Sequence, residues 1–161
     1  MYKRQAEACA EAGAEVMLVA GPVSLKTNHS SIDRIDVESA EEMYRAVLSE
    51  YDRSDIAIMC AAVADYAPET VSDVKLKRTG EDRILRLRPN PDIAAELGRR
   101  KRPGQCLVGF ALETNDEEMN ARLKMEKKNL DFIVLNSLRD AGAGFQCDTN
   151  KVTVIGKQGE P

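Results

Sequence analysis

The stretch that most limits how this chain can fold runs from Ile56 to Pro68. Its first half is a continuous apolar run without alternation, which is typical of a strand covered on both faces in a parallel sheet. The run ends in small residues, followed by Asp65 and Tyr66. Because ligands of open α/β sheets bind outside the carboxyl ends of the strands, we expect a ligand site where this strand ends.

Strand-like and helical segments alternate along the rest of the chain. This alternation predicts an α/β fold with a doubly wound, Rossmann-like and mostly parallel sheet. At 161 residues, we expect a single domain over residues 1–161. Besides the strand that begins at residue 56, the predicted strands span 15–20, 32–37, 106–112, 132–136 and 151–155, and the predicted helices span 2–12, 39–51, 90–100 and 116–128.

Two of the predicted helices carry start signals. Ser39 and Glu42 have the spacing of a capping box. Before the third helix, Asn90 is predicted as the N-cap, Pro91 as the first helical residue and Asp92 as an acid in the first turn. The free N–H groups of this helix start could bind an anion, but every helix has such an end, so the signal is weak alone.

A polar segment between these helices is expected to form a projecting β-hairpin arm. Residues 74–78 and 84–88 alternate apolar and polar side chains, and the turn residues 79–82 lie between them. The segment is too polar for the interior of a parallel sheet. We therefore expect it to act as a flap or as a dimer contact.

Charge and hydropathy exclude several classes of partner. The net charge of -4 argues against a dedicated nucleic-acid-binding protein, and the basic run 99–102 is interpreted as a solvated helix end. No stretch approaches the ~18 apolar residues that a membrane span needs, and no secretory signal opens the chain. A cytoplasmic protein without a membrane or nucleic-acid partner is expected.

The residues that most often carry nucleophilic or metal chemistry are few. Cys9, Cys60, Cys106 and Cys147 are widely spaced and are interpreted as buried free thiols. His29 is the only histidine, which argues against Ser–His or Cys–His catalysis and excludes a histidine-rich metal site. Neither Gly-x-Gly-x-x-Gly nor a Walker phosphate loop occurs, so a dinucleotide oxidoreductase or similar Rossmann enzyme loses most of its support.

Polar groups collect at the predicted carboxyl ends of the strands, at Asp65, at residues 113–115 and at Asn136. Each has a structural alternative, since Asp65 could be a turn residue and Asn115 or Asp116 a helix cap. Their convergence on one edge of the sheet gives the functional and structural interpretations equal weight.

Four lysines and one aromatic ring are further candidates. Lys75 and Lys77 lie on the predicted arm, Lys124 and Lys128 lie one helical turn apart, and Phe110 lies late in a predicted strand. From the residues alone, solvated lysines and a core phenylalanine are the simpler interpretations. The residues by themselves therefore predict an α/β domain with an anionic-ligand site.

Six short segments carry a closer identification. They are Gly21-Pro22-Val23-Ser24-Leu25, Ala61-Ala62-Val63-Ala64-Asp65-Tyr66, Lys75-Leu76-Lys77-Arg78, Asn90-Pro91-Asp92-Ile93, Gly109-Phe110-Ala111-Leu112-Glu113-Thr114 and Lys128-Asn129-Leu130-Asp131. Through them, over nearly its whole length, the chain resembles the phosphopantothenate–cysteine ligase domain. In bacteria this domain is usually the C-terminal half of a bifunctional protein of coenzyme A biosynthesis.

The resemblance implies an enzyme, an acid–amino acid ligase. In that family 4′-phosphopantothenate is joined to cysteine through an acyl-cytidylate, with CTP consumed and CMP and pyrophosphate released. The resemblance also implies Mg²⁺ with the CTP and a homodimer. Flavin is not expected, since the decarboxylase half is absent from this sequence. The alternative is a catalytically incomplete nucleotide-binding or dimerisation fragment of the same enzyme.

The resemblance further implies which residues meet the nucleotide. Lys75 would be the catalytic flap lysine that reaches the triphosphate, and no residue is expected to ligate a metal directly. The other nucleotide-binding residues are expected to be Met59, Cys60, Ala61, Asp65, Pro91, Asp92, Ile93, Ala94, Phe110, Lys124 and Lys128.

Two parts of the family pattern are missing from this sequence. Family members precede the first helix with a strand, a glycine-rich turn and an Asn-x-Ser-Ser-Gly-Lys segment whose asparagine contacts the acyl intermediate. They also follow the last strand with a helix. We therefore expect most nucleotide contacts, an incomplete acyl site and an exposed sheet edge that favours association.

Overall fold

The computed structural model describes residues 2–24, 26–80, 82–113, 116–137 and 151–157. Helices and strands alternate along these residues as the sequence predicts. The helices are α1 (Tyr2–Glu11), α2 (Ala40–Tyr51), α3 (Ile93–Arg100) and α4 (Glu117–Lys127). The strands are β1 (Val16–Ala20), β2 (Ile32–Asp36), β3 (Ile56–Met59), β4 (Tyr66–Pro68), β5 (Leu87–Pro89), β6 (Cys106–Glu113), β7 (Phe132–Ser137) and β8 (Val152–Gly156).

The strands pair in three separate groups. β1 and β2 are parallel. The largest sheet has the order β3-β6-β7-β8, in which β3, β6 and β7 are parallel and β8 is antiparallel. β4 and β5 form a small antiparallel ribbon. The predicted α/β fold with a mostly parallel sheet is confirmed.

Local sequence signals set the ends of the first two helices. The chain leaves α1 through Gly13, whose φ of +93° favours glycine. At the start of α2, the Ser39 Oγ accepts from the Glu42 N–H at 3.2 Å, while the Glu42 carboxylate accepts from the Ser39 N–H at 3.1 Å. The predicted capping box is therefore confirmed.

The core lies between the largest sheet and the helices. Leu97 of α3 and Leu107 of β6 are fully buried, and Leu130 before β7 and Ile133 in β7 join them. Helix α3 packs on β6 and on α2, while α4 packs on β6 and β7. Burial of such side chains stabilises the fold by about 1.5–3 kcal/mol each.

The strand that begins at Ile56 is shorter and more exposed than predicted. β3 ends at Met59, and residues 66–68 belong to β4. Ile56 and Ile58 are 62% and 39% exposed. The expectation of a strand covered on both faces is wrong, because this side of β3 borders an open groove.

The projecting arm is present, but its pairing differs from the prediction. Tyr66 of β4 lies opposite Pro89 of β5, and the Glu69 N–H donates to the Arg86 carbonyl at 2.9 Å. Residues 74–78 form no strand, so the predicted pairing of 74–78 with 84–88 is wrong. Residues 74–78 are exposed. A two-stranded hairpin by itself is only marginally stable.

Several other predictions meet the described residues only in part. Cys9, Cys60 and Cys106 are free thiols that are half-buried rather than fully buried. Cys147, residues 114 and 115, and the turn residue Glu81 lie outside the described residues. Within the described part of the chain, no helix combines the length and apolar character needed to cross a membrane.

The basic run is not simply a solvated helix end. The Lys101 Nζ donates to the Asn129 carbonyl at 2.7 Å and to the Asp131 carboxylate at 2.8 Å, and its side chain is only 11% exposed. The other Asp131 oxygen accepts from the Leu107 N–H at 2.8 Å. Lys101 therefore fastens the end of α3 to the segment between α4 and β7, which corrects the interpretation from the sequence.

The same contact explains a glycine inside α3. A Cβ added at Gly98 would overlap the carbonyl oxygen of Lys128 and lie 2.8 Å from its carbonyl carbon. The Asn129 side-chain amide donates to the Gly98 carbonyl at 2.9 Å. Helix α3 therefore packs backbone against backbone on residues 128–129, and only glycine fits there.

We expect Gly98→Ala to lower the free energy of unfolding by about 1–3 kcal/mol, because the added methyl group overpacks this contact. A glycine-to-alanine change inside a helix normally raises the free energy of unfolding by about 1 kcal/mol. A decrease for Gly98→Ala would therefore indicate the overpacked contact. Urea unfolding monitored by circular dichroism measures the difference. Gly21→Ala is the matched control, since its nearest neighbour would be the Met43 methyl at 3.8 Å. An increase in stability for Gly98→Ala would contradict the packing argument.

Candidate functional site

The ends of β3 and β6 bring two predicted site segments together. Met59 pairs with Gly109, so Cys60 and Phe110 are the next residues along the two neighbouring parallel strands. Burial raises the pKa of the Cys60 thiol, so this side chain is protonated at neutral pH. Cys60 therefore lines this edge as a small, nearly apolar group.

Asn90 fixes the next part of the edge. Its side-chain amide donates to the Ala64 carbonyl at 2.9 Å, and its N–H donates to the Asp65 carbonyl at 2.8 Å. The prediction that Asn90 caps α3 is wrong, because its side chain is used on the loop after β3. The N-cap is Asp92, which accepts from the Ala95 N–H at 3.0 Å. Asp65 is thereby held beside the start of α3.

An ion pair joins the start of α3 to the end of α4. The Lys128 Nζ lies 3.0 Å and 2.9 Å from the two carboxylate oxygens of Asp92. Partial burial raises the pKa of Asp92, but the hydrogen bonds from Lys128 and the Ala95 N–H and the charges of Lys128 and Lys124 outweigh it. The pKa of Asp92 therefore lies below its ordinary value. Asp92 is ionised at neutral pH.

Lys124 connects this pair to the sheet. Its Nζ donates to the Phe110 carbonyl at 3.1 Å, and its charge also acts on Asp92. Two ammonium groups and the start of α3 therefore lie at the edge where β3 and β6 run side by side. Ammonium groups and the N–H groups of a helix start are donors suited to phosphate oxygens. The arrangement can bind an anionic ligand.

The structure connects most of the predicted site residues. Strand pairing places Met59 beside Gly109, the residue before Phe110, and Cys60 follows Met59. Hydrogen bonds join Lys124 to Phe110 and Lys128 to Asp92, and Asp65 is bonded to Asn90, two residues before Asp92. Pro91 precedes the N-cap of α3, Ile93 and Ala94 are its first residues, and Ala61 follows Cys60 in an exposed loop.

Lys75 is not brought to this edge. It is exposed and lies on the arm between β4 and β5, outside both strands of the ribbon. Among the described residues it makes no hydrogen bond or ion pair with the other predicted site residues.

The sequence does not reveal the structural roles of two residues. Asn90 positions the loop at Ala64 and Asp65, and Gly98 lets α3 approach Lys128. The sequence does contain a signal for Asn90. Asp92 is also a preferred N-cap residue and lies closer to the helix, which leaves the Asn90 side chain available for another contact. No local signal identifies Gly98, since its partner lies about 30 residues away along the chain.

The described residues contain no group of three or more histidine, cysteine, aspartate or glutamate side chains that could hold a metal ion.

The sequence matches one protein-family model over nearly all of its length. The model describes the DNA/pantothenate metabolism flavoprotein C-terminal domain and matches residues 3–161.

Curated relatives are longer than this chain. The coenzyme A biosynthesis bifunctional protein CoaBC of Bacillus subtilis is 50% identical over 154 residues, which cover 96% of this chain and 38% of that protein. The protein of the same name from Escherichia coli is 40% identical over 158 residues, which cover 96% of this chain and 39% of that protein. A prokaryotic protein named cysteine/cysteine sulfinic acid decarboxylase is 55% identical over 152 residues, which cover 94% of this chain and 42% of that protein. The chain thus spans about two fifths of the length of these relatives.

Solved structures share the fold. The C-terminal domain of a coenzyme A biosynthesis bifunctional protein CoaBC matches with a TM-score of 0.77 and 37% identity, covering 96% of this chain and 67% of that one. The DNA/pantothenate metabolism flavoprotein from Streptococcus pneumoniae has the same TM-score at 21% identity, which shows the fold alone.

The ion pair at the start of α3 generates a test of the site's electrostatics. Replacing Lys128 with methionine is expected to raise the pKa of Asp92, because the strongest interactions with its ionised form are lost. Titration of the Asp92 carboxyl carbon by NMR measures the change. Lys127→Met removes a neighbouring exposed lysine and should leave the Asp92 pKa unaltered. Equal titration curves for Lys128→Met and the unsubstituted chain would refute the pairing.

Proposed function

The chain belongs to the DNA/pantothenate metabolism flavoprotein C-terminal domain family, and from this premise we propose that it is a phosphopantothenate–cysteine ligase domain. Its substrates would be CTP, 4′-phosphopantothenate and cysteine. The C-terminal domain of CoaBC matches it at 37% identity over almost the whole chain, and CoaBC is named for coenzyme A biosynthesis.

One observation about the site supports the nucleotide part of this proposal most strongly. Lys124, Lys128 and the start of α3 lie together at the edge formed by β3 and β6. The triphosphate of a nucleotide carries the charge that these donors would bind. Ligands of open α/β sheets bind at this edge of the strands.

The proposed chemistry accounts for the need for a nucleotide. A carboxylate is a poor acyl donor to an amine in water. The carboxylate oxygen of 4′-phosphopantothenate therefore attacks the α-phosphorus of CTP, and pyrophosphate leaves. The cysteine amine then attacks the acyl carbon of the acyl-cytidylate, CMP leaves with the bonding electron pair, and the amine loses a proton. Negative charge builds on the phosphate oxygens, where fixed cations stabilise it best.

We assign the protein groups as follows. Lys124 and Lys128 neutralise the triphosphate, and Phe110 packs on the base or the sugar. The start of α3, from Pro91 to Ala94, donates its N–H groups. The backbone of Met59, Cys60 and Ala61 lines the pocket, Asp65 contacts the nucleotide, and Lys75 reaches the phosphates from the arm.

Mg²⁺ would enter with CTP, held mainly by the triphosphate. Mg²⁺ is commonly held in this way, through substrate phosphates and waters. No role for flavin is proposed for these residues.

The proposal includes a homodimer in the cytoplasm. The arm carries exposed apolar side chains, among them Val71 at 85%, Val74 at 72% and Ile84 at 90%. Clustered exposed apolar side chains favour protein contacts. We assign this surface to contact between two copies of the chain.

A second candidate function is nucleotide binding without turnover. It is favoured by the geometry, because Lys124, Lys128 and the start of α3 lie together while Lys75, the predicted catalytic lysine, is exposed on the arm. CTP binding without formation of phosphopantothenoylcysteine would select this alternative.

Calorimetric titration in the presence of Mg²⁺ tests the nucleotide site. We expect the chain to bind CTP more tightly than ATP. Lys124→Met should weaken CTP binding by about 10- to 100-fold, the scale of one hydrogen bond to a charged group. Lys127→Met, which removes an exposed lysine of the same helix, should change the affinity less than twofold. Preference for NAD or S-adenosylmethionine over CTP would refute the proposed substrate.

Pyrophosphate release tests the role of Lys75. Lys75→Gln should slow acyl-cytidylate formation by roughly 10²–10³-fold, because one preorganised charge on the transferring group is lost. The rate is measured from pyrophosphate released in the presence of CTP and 4′-phosphopantothenate. Lys77→Gln is the control, since it removes another exposed lysine from the same arm. A Lys75→Gln rate within threefold of the unsubstituted chain would remove Lys75 from the mechanism.

A further inference from the structure

Asn90 donates hydrogen bonds to two successive carbonyl groups of one loop. Its side-chain amide donates to the Ala64 carbonyl at 2.9 Å, and its backbone N–H donates to the Asp65 carbonyl at 2.8 Å. The loop, residues 60–65, connects β3 to β4 and forms no strand. Asn90 therefore fixes the end of this loop from the side of α3.

The two sides of this contact are anchored in the core independently of each other. Val63 of the loop packs against the core, and Ile93 in the first turn of α3 is buried. The carboxylate of Asp92, the N-cap of α3, accepts from an N–H of the helix and from Lys128. The start of α3 is thus held without the Asn90 side chain, and that side chain sets the position of the loop relative to it.

The same contact closes the root of the arm. β4 begins directly after Asp65, β5 ends directly before Asn90, and Tyr66 lies opposite Pro89. The hydrogen bond from the Asn90 N–H to the Asp65 carbonyl therefore extends the antiparallel ladder by one pair. The ribbon has few donors of its own, because Pro68 and Pro89 lack an N–H. The direction of the arm consequently depends on the contacts of Asn90.

The loop carries a carboxylate at its end. The Asp65 side chain is exposed and has no hydrogen bond or ion pair among the described residues. A carboxylate accepts hydrogen bonds, whereas the ammonium groups of Lys124 and Lys128 only donate them. Asp65 therefore suits the hydroxyl and amino groups of a nucleoside, and the lysines suit phosphate oxygens. A nucleotide carries both kinds of group, so the distance from Asp65 to the lysines determines whether it fits.

We propose that Asn90 is a positioning residue of the nucleotide site. Its side-chain amide sets where the Asp65 carboxylate lies relative to Lys124 and Lys128. It also sets the direction of the arm, which carries Lys75. Asn90 acts through the loop and not by contact with the ligand, because its amide is used on a loop carbonyl. The inference rests on the proposed function, since it concerns the nucleotide of that same site.

Calorimetric titration with two ligands separates positioning from general support of the fold. The ligands are CTP and inorganic triphosphate, each with Mg²⁺, and the ratio of their affinities reports the contacts of the nucleoside. Asn90→Ala is expected to weaken CTP binding about five- to tenfold, the scale of one hydrogen bond between uncharged groups. Binding of inorganic triphosphate should change by less than about twofold, because the lysines and the start of α3 stay in place.

The chain offers a matched control at the opposite end of the sheet. The Gln105 side-chain amide donates to the Tyr51 and Ser54 carbonyls at 3.0 Å and 2.8 Å, just before β6 begins. Gln105→Ala removes the same kind of contact and should leave the ratio of the two affinities unaltered. If Asn90→Ala does not fold, Asn90→Asp makes the same test, since it keeps the shape of the side chain but cannot donate when ionised.

Amide hydrogen exchange tests the effect on the arm without any ligand. The Glu69 N–H donates to the Arg86 carbonyl at the end of the ribbon away from Asn90. Loss of the contact at the root leaves the ribbon with its few internal hydrogen bonds. Asn90→Ala should therefore speed exchange at Glu69 by about threefold or more, whereas Gln105→Ala should not.

Three results would overturn the inference. The first is that Asn90→Ala binds CTP as tightly as the unsubstituted chain does. The second is equal weakening of CTP and inorganic triphosphate, which would make Asn90 a general support of the fold. The third is unchanged exchange at Glu69, which would separate Asn90 from the arm. Failure of the proposed function is distinguishable, because the unsubstituted chain itself would then bind CTP no more tightly than inorganic triphosphate, and the inference would fail with it.

Discussion

The close contact between α3 and the segment that follows α4 holds the sheet, the helices and the candidate site in one arrangement. Gly98 allows the two backbones to meet, and the Lys101 ammonium group ties the end of α3 to Asn129 and Asp131. Burial raises the pKa of Asp131, but its hydrogen bonds with Lys101 and the Leu107 N–H and the nearby lysine charges outweigh that effect and keep the pKa below its ordinary value. The ionised carboxylate can therefore bridge α3, the start of β6 and the turn before β7. Removing one partner of such a part-buried pair leaves the other charge unpaired, which costs more than the pair itself contributes.

The same contact decides the electrostatics of the site. Helix α3 lies against residues 128–129. The carboxylate of Asp92, the N-cap of α3, therefore comes within 3.0 Å of the ammonium group of Lys128, the C-cap of α4. Asp92 also accepts a hydrogen bond from the Ala95 N–H, so this N–H group is not available to an anion at the helix start. An anionic ligand must share Lys128 with Asp92. The Lys124 ammonium group donates to the uncharged Phe110 carbonyl and acts on Asp92 through its charge without a hydrogen bond among the described residues. Lys124 is therefore the cation that a phosphate could recruit with the smaller electrostatic loss.

The sequence predicts those features of the structure that depend on residues close together along the chain. The capping box at Ser39 and Glu42, the glycine after α1 and the alternation of strands with helices are local patterns, and the structure confirms them. The N-cap of α3 was assigned to Asn90 because a local rule could not foresee that this side chain bonds to Ala64, 26 residues earlier. Gly98 and Lys101 act through partners about 30 residues away, so neither has a local signal. For the site, strand topology predicts only that Asp65, residues 113–115 and Asn136 lie at one edge of the sheet. Phe110, Lys124 and Lys128 are predicted as site residues by the resemblance to a family, and their nucleotide roles stay predictions.

The exposed side of β3 links the least expected feature of the fold to the site. Its sequence has the continuous apolar pattern of a central strand, and the structure places it at the margin of the largest sheet, beside a groove. Ala57 and Met59, on the other side of β3, pack against the core, so one face of the strand is buried and the face with Ile56 and Ile58 lines the groove. Cys60 lines the same groove directly after the strand ends. The loop that follows is then held at Ala64 and Asp65 by Asn90, beside the start of α3. The carboxyl end of β3 therefore connects the groove to the edge of the sheet where ligands of open α/β sheets bind.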